Sequence, residues 1–258
     1  MAVNNENNTT TESSVAVQDK QFNTVEIRLR RLNKDDTIAF TRSTALIYVR
    51  GGKGYAFFKR LFDIFCSLLA IIILSPILIV TAILVKITSR GPILFKDYRV
   101  GRYGKEIKLW KFRSMYVDAE SKIKQYLTKE EYEKWLVERK LDNDPRITPL
   151  GKIIRKTSID ELPQLFNILF GSISFIGPRP ITRMEWHDHF TKEQREALLC
   201  VKPGLSGYWA AYARSEATFE TGERQKLEME YLKRRGFWFD IKLIFVTVFS
   251  VFKRKGAK

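Results

Sequence analysis

"LFDIFCSLLAIIILSPILIVTAILV", from Leu61 to Val85, is the stretch on which the fold turns. At roughly 25 residues it is long enough, as an α-helix, to cross the hydrocarbon of a bilayer. Three features argue against a plain span. Pro76 removes a backbone donor from the middle of the run and kinks a helix, while the hydroxyl of Ser75 can satisfy a freed carbonyl. Lys59 and Arg60 precede the run and Lys86 and Arg90 follow it, so the charge asymmetry that orients a span is missing. Asp63 prefers the membrane interface to the hydrocarbon centre. A helix that enters a membrane, breaks at Ser75-Pro76 and returns to the same face accounts for all three. A kinked span and a buried core helix are the alternatives these residues leave open.

The 258-residue chain is otherwise long enough for one domain with a substantial core. Its formal net charge of +16 beside 45% hydrophobic residues points to a folded protein that meets polyanions: nucleic acid, anionic lipid or phosphorylated substrates. Two cysteines, Cys66 and Cys200, give neither a disulfide framework nor a zinc cluster. The first residues, "MAVNNENNTTTESSVAVQ", have no basic segment leading into an apolar one and read as a disordered arm over residues 1–20. In residues 21–54, "TVEIRLRRL" and "TALIYV" suggest a small hairpin, and "RGGKGY" a hinge.

Beyond the apolar run the chain becomes mixed and charged. "GPILFKDYRVGRYGKEIKLWKFRSM" reads as strands cut by glycine turns, and "DAESKIKQYLTKEEYEKWLVERKL" as a solvated helical segment. "LPQLFNILFG" places Leu162, Leu165, Phe166 and Leu169 on one helical face, with Gly171 as its stop. The C-terminal "FWFDIKLIFVTVFSVFKRK" is read either as an interfacial helix with basic residues at headgroups or as a core helix with a basic end.

"SIDELPQL", Ser158 to Leu165, sets Asp160 and Glu161 side by side in this basic chain. The plain reading makes Asp160 an N-cap, with Pro163 in the first turn, and Glu161 a first-turn acid favoured by the helix dipole. The chemical reading uses one carboxylate to attack a phosphorus and its neighbour to hold a divalent cation, provided that cations neutralise the meeting of two anions. Candidates for that task are Arg155, Arg179 in "FIGPRP", and Lys111 and Arg113 in "LWKFRSM".

The ordered set "KRLFDIFCSLLAIIILSPILIV", "GPILFKDYRVGRYGK", "WKFRSM", "DPRITPLGKIIRKTSIDELPQLFNIL", "GSISFIGPRP" and "KPGLSGYW" resembles the bacterial sugar transferases. These are the monotopic polyprenyl-phosphate phosphoglycosyl transferases that initiate cell-surface polysaccharide and glycan assembly. The resemblance covers Lys59 to the C-terminus. It implies an α/β fold, helix-rich with short strands: a compact catalytic domain over 91–258, a re-entrant membrane helix over 55–90 and interfacial amphipathic helices. The location it implies is the cytoplasmic face of the bacterial inner membrane, in contact with membrane lipids. The implied reaction is a Mg²⁺-dependent transfer of a sugar 1-phosphate from a UDP-sugar to undecaprenyl phosphate, with UMP released. Position by position, Asp160 resembles the covalent nucleophile and Glu161 the metal-binding neighbour, with Asp160 a further metal ligand. Arg155 and Arg179 resemble phosphate-binding arginines, Lys111 an active-site lysine, and Asp240 in "WFDIKL" a family acid near the site.

The chain departs from the family pattern at Ala210, where many members carry glutamine, and around Glu230 and Tyr231, where "LKRRGFW" is more basic than usual. Neither the sugar nor an oligomeric state follows from these residues, although a homo-oligomer is compatible with them. "EWHDHF" offers Glu185, His187, Asp188 and His189 as metal ligands, but the two histidines diverge on a helix. "YWAAYAR" has the aromatic and basic character of a nucleic-acid surface; no nucleic-acid motif accompanies it, and no such partner is expected. The rival functions are a metal-assisted phosphohydrolase and a non-enzymatic basic membrane tether.

Overall fold

A computed structural model describes residues 51–252 apart from 120, 139–140, 142 and 214–216. The arm at 1–20, the expected hairpin in 21–54 and the basic tail after residue 252 lie outside the described residues.

The apolar run forms helix α1, Lys53–Thr88, a single element of 36 residues with Pro76 inside it. In place of a break at Ser75-Pro76 there is a local repair. Pro76 lacks the N–H that would meet the Ile72 carbonyl, and Ser75 Oγ donates to that carbonyl at 2.8 Å. Only 11% of the most apolar window of α1 is buried, which excludes a core helix wrapped on all sides by protein. One side packs on the rest of the chain: Ala70, Ile71 and Leu74 lie against Leu165, Ile168 and Ile173, and Leu78 and Ala82 against Phe112 and Ile154. The other side exposes Phe65, Ile72, Ile73, Ile79 and Val80.

Polar contacts fasten α1 near both ends. Arg60 donates to the carbonyls of Ile168 and Leu169 at 2.7 Å. The buried Asp63 accepts from Ser174 Oγ at 3.0 Å and from the Phe175 N–H at 3.1 Å. Past the C-terminal end, the Arg113 guanidinium donates to the carbonyls of Ser89 and Pro92 at 2.7 and 2.5 Å.

Strands β1, Leu94–Val100, and β2, Glu106–Phe112, form an antiparallel pair with Asp97 opposite Leu109 and Phe95 opposite Lys111. The segment expected to be helical forms two helices: α2, Ile123–Tyr126, and α3, Lys129–Glu138. Thr128 and Glu131 divide it, each side chain accepting from the other's backbone N–H, an arrangement that starts a new helix. Helix α4, Pro149–Lys156, opens with Thr148 Oγ1 accepting from the Gly151 N–H at 2.9 Å and with proline at the first position.

A 3₁₀ turn, Ile159–Glu161, joins α4 to α5, Gln164–Phe170. Gly171 ends α5 in the left-handed conformation, as expected. The buried face of α5 is Leu165 and Ile168 with Gln164 and Asn167, shifted from the expected Leu162, Leu165, Phe166 and Leu169. Asn167 causes the shift by facing inward as a substitute strand. Its side-chain oxygen accepts from the Trp110 N–H at 2.9 Å and its amide donates to the Lys108 carbonyl at 2.8 Å.

After β3, Ser174–Ile176, come α6, Arg183–His189, and α7, Lys192–Leu199. Strand β4, Gly204–Ser206, then pairs with β3 in parallel. The pairing continues past β3 because two glycines cross there. The Gly177 N–H donates to the Ser206 carbonyl at 2.9 Å and the Gly204 N–H to the Pro178 carbonyl at 2.8 Å. A Cβ on Gly204 would lie 2.1 Å from the Gly177 nitrogen. Helices α8, Tyr208–Tyr212, α9, Glu223–Arg234, and α10, Phe237–Phe252, complete a helix-rich fold with a few short strands, in agreement with the expected class. Tyr231, Leu232 and Leu243 are buried in its C-terminal core, while Trp238, Phe245 and Phe249 of α10 are exposed.

Replacing Asn167 with alanine should leave the Trp110 N–H and the Lys108 carbonyl without partners. Urea unfolding in detergent is expected to show a loss of about 2–3 kcal/mol. An unchanged midpoint would mean that β2 is not tied to α5 through this side chain.

Candidate active site

The acidic pair owes its place to a change of chain direction. Ser158, with φ of 57°, ends the α4 region and turns the backbone into the 3₁₀ turn. Ile159 packs against the cluster of Val85, Phe112 and Ile154, which fixes the turn from below. Asp160 does not cap α5, contrary to the plain reading of the sequence: Pro163 occupies the cap position and the acid sits in its own turn upstream. Burial first, and the charge of Glu161 second, push the Asp160 carboxyl up to about 6, against the pull of Lys111 and Arg155.

Lys111 on β2 stands between two carboxylates, 3.0 Å from Asp97 and 3.9 Å from Glu161. It reaches Asp97 along the diagonal of the antiparallel pair, since Asp97 lies opposite Leu109. Arg99, two residues on from Asp97 along the same face of β1, holds both oxygens of Asp97 at 2.8 Å and reaches Glu185 at 3.2 Å. Burial alone would raise Asp97, yet Arg99 and Lys111 hold it below the usual carboxylate range. Glu185 is likewise held low, against burial, by Arg99 and the Thr182 N–H.

The charge chain continues to the expected Arg179. Its backbone N–H donates to Glu228 at 3.2 Å, and its guanidinium lies 5.2 Å from the centre of the Trp209 ring. The Arg224 guanidinium is 4.4 Å from the same ring. Burial pushes the Glu228 carboxyl up to about 7, with Arg224 and Arg179 opposing. Asp160, Glu161, Lys111 and Arg155 thus form one group, and Arg179 belongs to a second, linked to the first through Asp97, Arg99 and Glu185.

Two residues expected at the site are directed elsewhere. The buried Arg113 spends its guanidinium on Pro92 and on the carbonyl and hydroxyl of Ser89, at 2.5 to 2.7 Å, beyond the C-terminal end of α1. Asp240 is a clamp between helices, accepting from Tyr55 at 2.6 Å, from Tyr231 at 3.0 Å and from Lys59. Of the "EWHDHF" candidates, Glu185 closes the capping box of α6, His187 meets Arg195 at 3.1 Å and His189 stacks on Phe219. Among the described residues no three metal-ligating side chains come together.

Asp97, Arg99, Arg224 and Glu228 are not among the residues the sequence points to, and Glu185 is there only as a metal-ligand candidate. The alternation of Asp97 and Arg99 in "FKDYRV" and the four-residue spacing of Arg224 and Glu228 were the available signals. As for a metal, Asp160 and Glu161 offer only oxygen donors, and the pair carries mutual repulsion that raises Asp160. This donor set suits a hard ion such as Mg²⁺, which binds through one or two carboxylates and completes its shell with water and substrate phosphates.

Comparison with known proteins gives a consistent result. The profile of the family described as "Bacterial sugar transferase" matches residues 54–254. The undecaprenyl-phosphate galactose phosphotransferase of Salmonella typhimurium is 37% identical over 231 residues, covering 87% of this chain and 47% of that protein. The UDP-glucose:undecaprenyl-phosphate glucose-1-phosphate transferase of Klebsiella pneumoniae is 42% identical over 211 residues, covering 78% and 41%. The chain therefore spans less than half the length of these curated relatives. The exopolysaccharide production protein ExoY of Sinorhizobium fredii is 34% identical over 203 residues, covering 77% of this chain and 87% of its own.

The raised Asp160 makes a signed prediction about stability. The folded state holds the Asp160 proton more tightly than the unfolded state, so this group favours folding in acid and the advantage disappears as pH rises through about 6. In metal-free buffer, Asp160→Asn should be more stable than the parent by about 1–3 kcal/mol at pH 8, with the difference vanishing near pH 4. Urea unfolding of both proteins across that range checks it; a gain that is equal at both pH values would mean that Asp160 is not charged at a cost.

Proposed function

The chain belongs to the bacterial sugar transferase family, and on that premise we propose that it transfers a sugar 1-phosphate from a UDP-sugar to undecaprenyl phosphate and releases UMP. The observation that carries the reading is the pair Asp160–Glu161, set in a turn of its own within reach of Lys111 and the charge of Arg155. The printed names of the relatives, which give undecaprenyl phosphate as acceptor and UDP-glucose as one donor, support it.

In this mechanism an Asp160 carboxylate oxygen attacks the β-phosphorus of the donor. The bond from that phosphorus to the oxygen bridging to the α-phosphate breaks, and UMP leaves with the bridging oxygen. A phosphate oxygen of undecaprenyl phosphate then attacks the same phosphorus and Asp160 departs as a carboxylate, leaving a lipid diphosphate sugar. Splitting the transfer in two lets one pocket serve both substrates in turn. The raised Asp160 carboxyl makes it a stronger nucleophile than an ordinary surface aspartate, and it remains ionised above pH of about 6. Lys111 and Arg155 bring positive charge to the approach of two anions, and Arg99 keeps Asp97 in place to hold Lys111. Mg²⁺ at Asp160 and Glu161 would add charge neutralisation at the diphosphate. Water in the second step would give the phosphohydrolase reading; the lipid acceptors in the relatives' names favour transfer.

The membrane arrangement belongs to the same proposal. A lipid acceptor, the exposed apolar side of α1 and the exposed Trp238, Phe245 and Phe249 of α10 support a domain seated on one leaflet, the cytoplasmic face of the inner membrane. Both ends of α1 are fastened to the rest of the chain, which supports a placement of both on one side of the membrane.

Two experiments test these statements. The full chain in detergent, given Mg²⁺ and a panel of UDP-sugars, should release UMP over many turnovers only when undecaprenyl phosphate is present, and at most one equivalent per protein without it. Asp160→Ala should cut the rate by about three orders of magnitude or more. Release of UDP, or UMP in many-fold excess over protein without lipid, would overturn the reaction. For topology, single cysteines at Gly52 and at Arg90, with Cys66 and Cys200 removed, should both resist a membrane-impermeant maleimide until the inner membrane is opened. Labelling of one from outside would establish a span instead.

A further inference from the structure

Arg224 carries more chemistry than its place in the fold requires. Its guanidinium is pressed between two aromatic rings, 4.4 Å from the centre of Trp209 and 3.8 Å from that of Phe219. The Trp209 ring is fixed in turn by its indole N–H, which donates to the Ala217 carbonyl at 2.9 Å. Packing of this kind fixes the plane of the guanidinium and leaves its edge to make hydrogen bonds. That edge is unused: Nε and Nη2 of Arg224 are buried and have no hydrogen-bond partner among the described residues.

The nearby carboxylates are committed elsewhere. Glu185 accepts from Thr182 and from Arg99, and the fully buried Glu228 accepts from the Arg179 backbone N–H. A second guanidinium, that of Arg179, lies 5.2 Å from the same Trp209 ring, and burial first and Arg179 second lower the proton affinity of Arg224. Two arginines share one aromatic face, and although Glu185 and Glu228 bring opposite charge near Arg224, its fork is buried and unmet among the described residues. Planar forks of this type match the oxygens of a phosphate. Simple packing would be served as well by an uncharged side chain of similar length and does not account for the pair.

We propose that Arg224, together with Arg179, forms a seat for a phosphate oxyanion of a substrate, an assignment that deepens the function proposed above and rests on it. The oxyanion belongs either to the diphosphate of the nucleotide donor or to the phosphate of the lipid acceptor. Arg224 holds the anion through its unmet Nε and Nη2 edge while Trp209 and Phe219 keep its plane from turning. Arg179, carried on the loop that the Gly177–Gly204 crossing fixes, supplies the second cation.

Calorimetric titration of the full chain in detergent with EDTA separates this assignment from the chemistry at Asp160. The probes are inorganic pyrophosphate, UDP and undecaprenyl phosphate, each titrated into the Asp160→Ala protein and into Arg224→Met and Arg224→Lys in that background. At least one probe should bind, and Arg224→Met should weaken it tenfold or more with an unchanged melting temperature. Arg224→Lys, which keeps the charge and loses the planar fork, should also weaken it severalfold, and it serves as the decisive variant if the methionine protein does not fold. Loss confined to pyrophosphate and UDP assigns the donor diphosphate; loss confined to undecaprenyl phosphate assigns the acceptor. Equal affinities in the folded variants, or no binding of any probe to the Asp160→Ala protein, would overturn the seat. Failure of UMP release with the seat intact would instead count against the transfer reaction alone.

Discussion

Helix α1 is fastened to the rest of the chain along one side, and most of the structure takes its position from that contact. Its middle rests on α5 through Ala70, Ile71 and Leu74, and its later turns on β2 and α4 through Leu78 and Ala82. Those supports adjoin the acidic turn: Ile159 belongs to the cluster that holds Val85, and Asp160 follows it directly in the chain. The apolar helix and the acidic pair are therefore neighbours in one packing arrangement.

Electrostatics organise the remainder. The site alternates acid and base from Glu161 through Lys111, Asp97, Arg99 and Glu185, so that most charges are answered by a neighbour. Asp97 and Glu185 fall below the ordinary carboxylate range in this chain, while Asp160 and Glu228 rise above it. The contrast separates groups that hold the scaffold from groups left available for reaction or for a proton. Four carboxylates of similar intrinsic acidity are driven apart by burial and by which cations face them.

The sequence discloses these features unevenly. The length of the apolar run, its proline, the helix stop at Gly171 and the adjacency of Asp160 and Glu161 are local properties, and local patterns report them well. Arg113 misleads because its direction depends on where α1 ends, a contact with residues more than twenty positions earlier in the chain. Asp240 has the same difficulty, since its partners Tyr55 and Lys59 come from the far end of the described residues. The helical face of α5 is misjudged because a pattern of apolar residues does not reveal that Asn167 will stand in for a strand. Arg224 becomes visible only when α9 is packed beside Trp209. Local chemistry was legible; the destination of each long polar side chain was settled by the tertiary structure.

The clamp at Asp240 has a consequence for synthesis. Lys59 lies 181 residues before the aspartate it binds. At a translation rate of about 5–20 residues per second, the start of α1 waits roughly 10–40 s for that partner to be made. Asp63, too, emerges 111 residues before Ser174. During the interval the most apolar helix of the chain has neither its polar fastenings nor the side of the protein on which it rests. Its early surroundings must be something other than the finished domain, because the turn at Ile159–Glu161 and the elements it rests on have yet to be made.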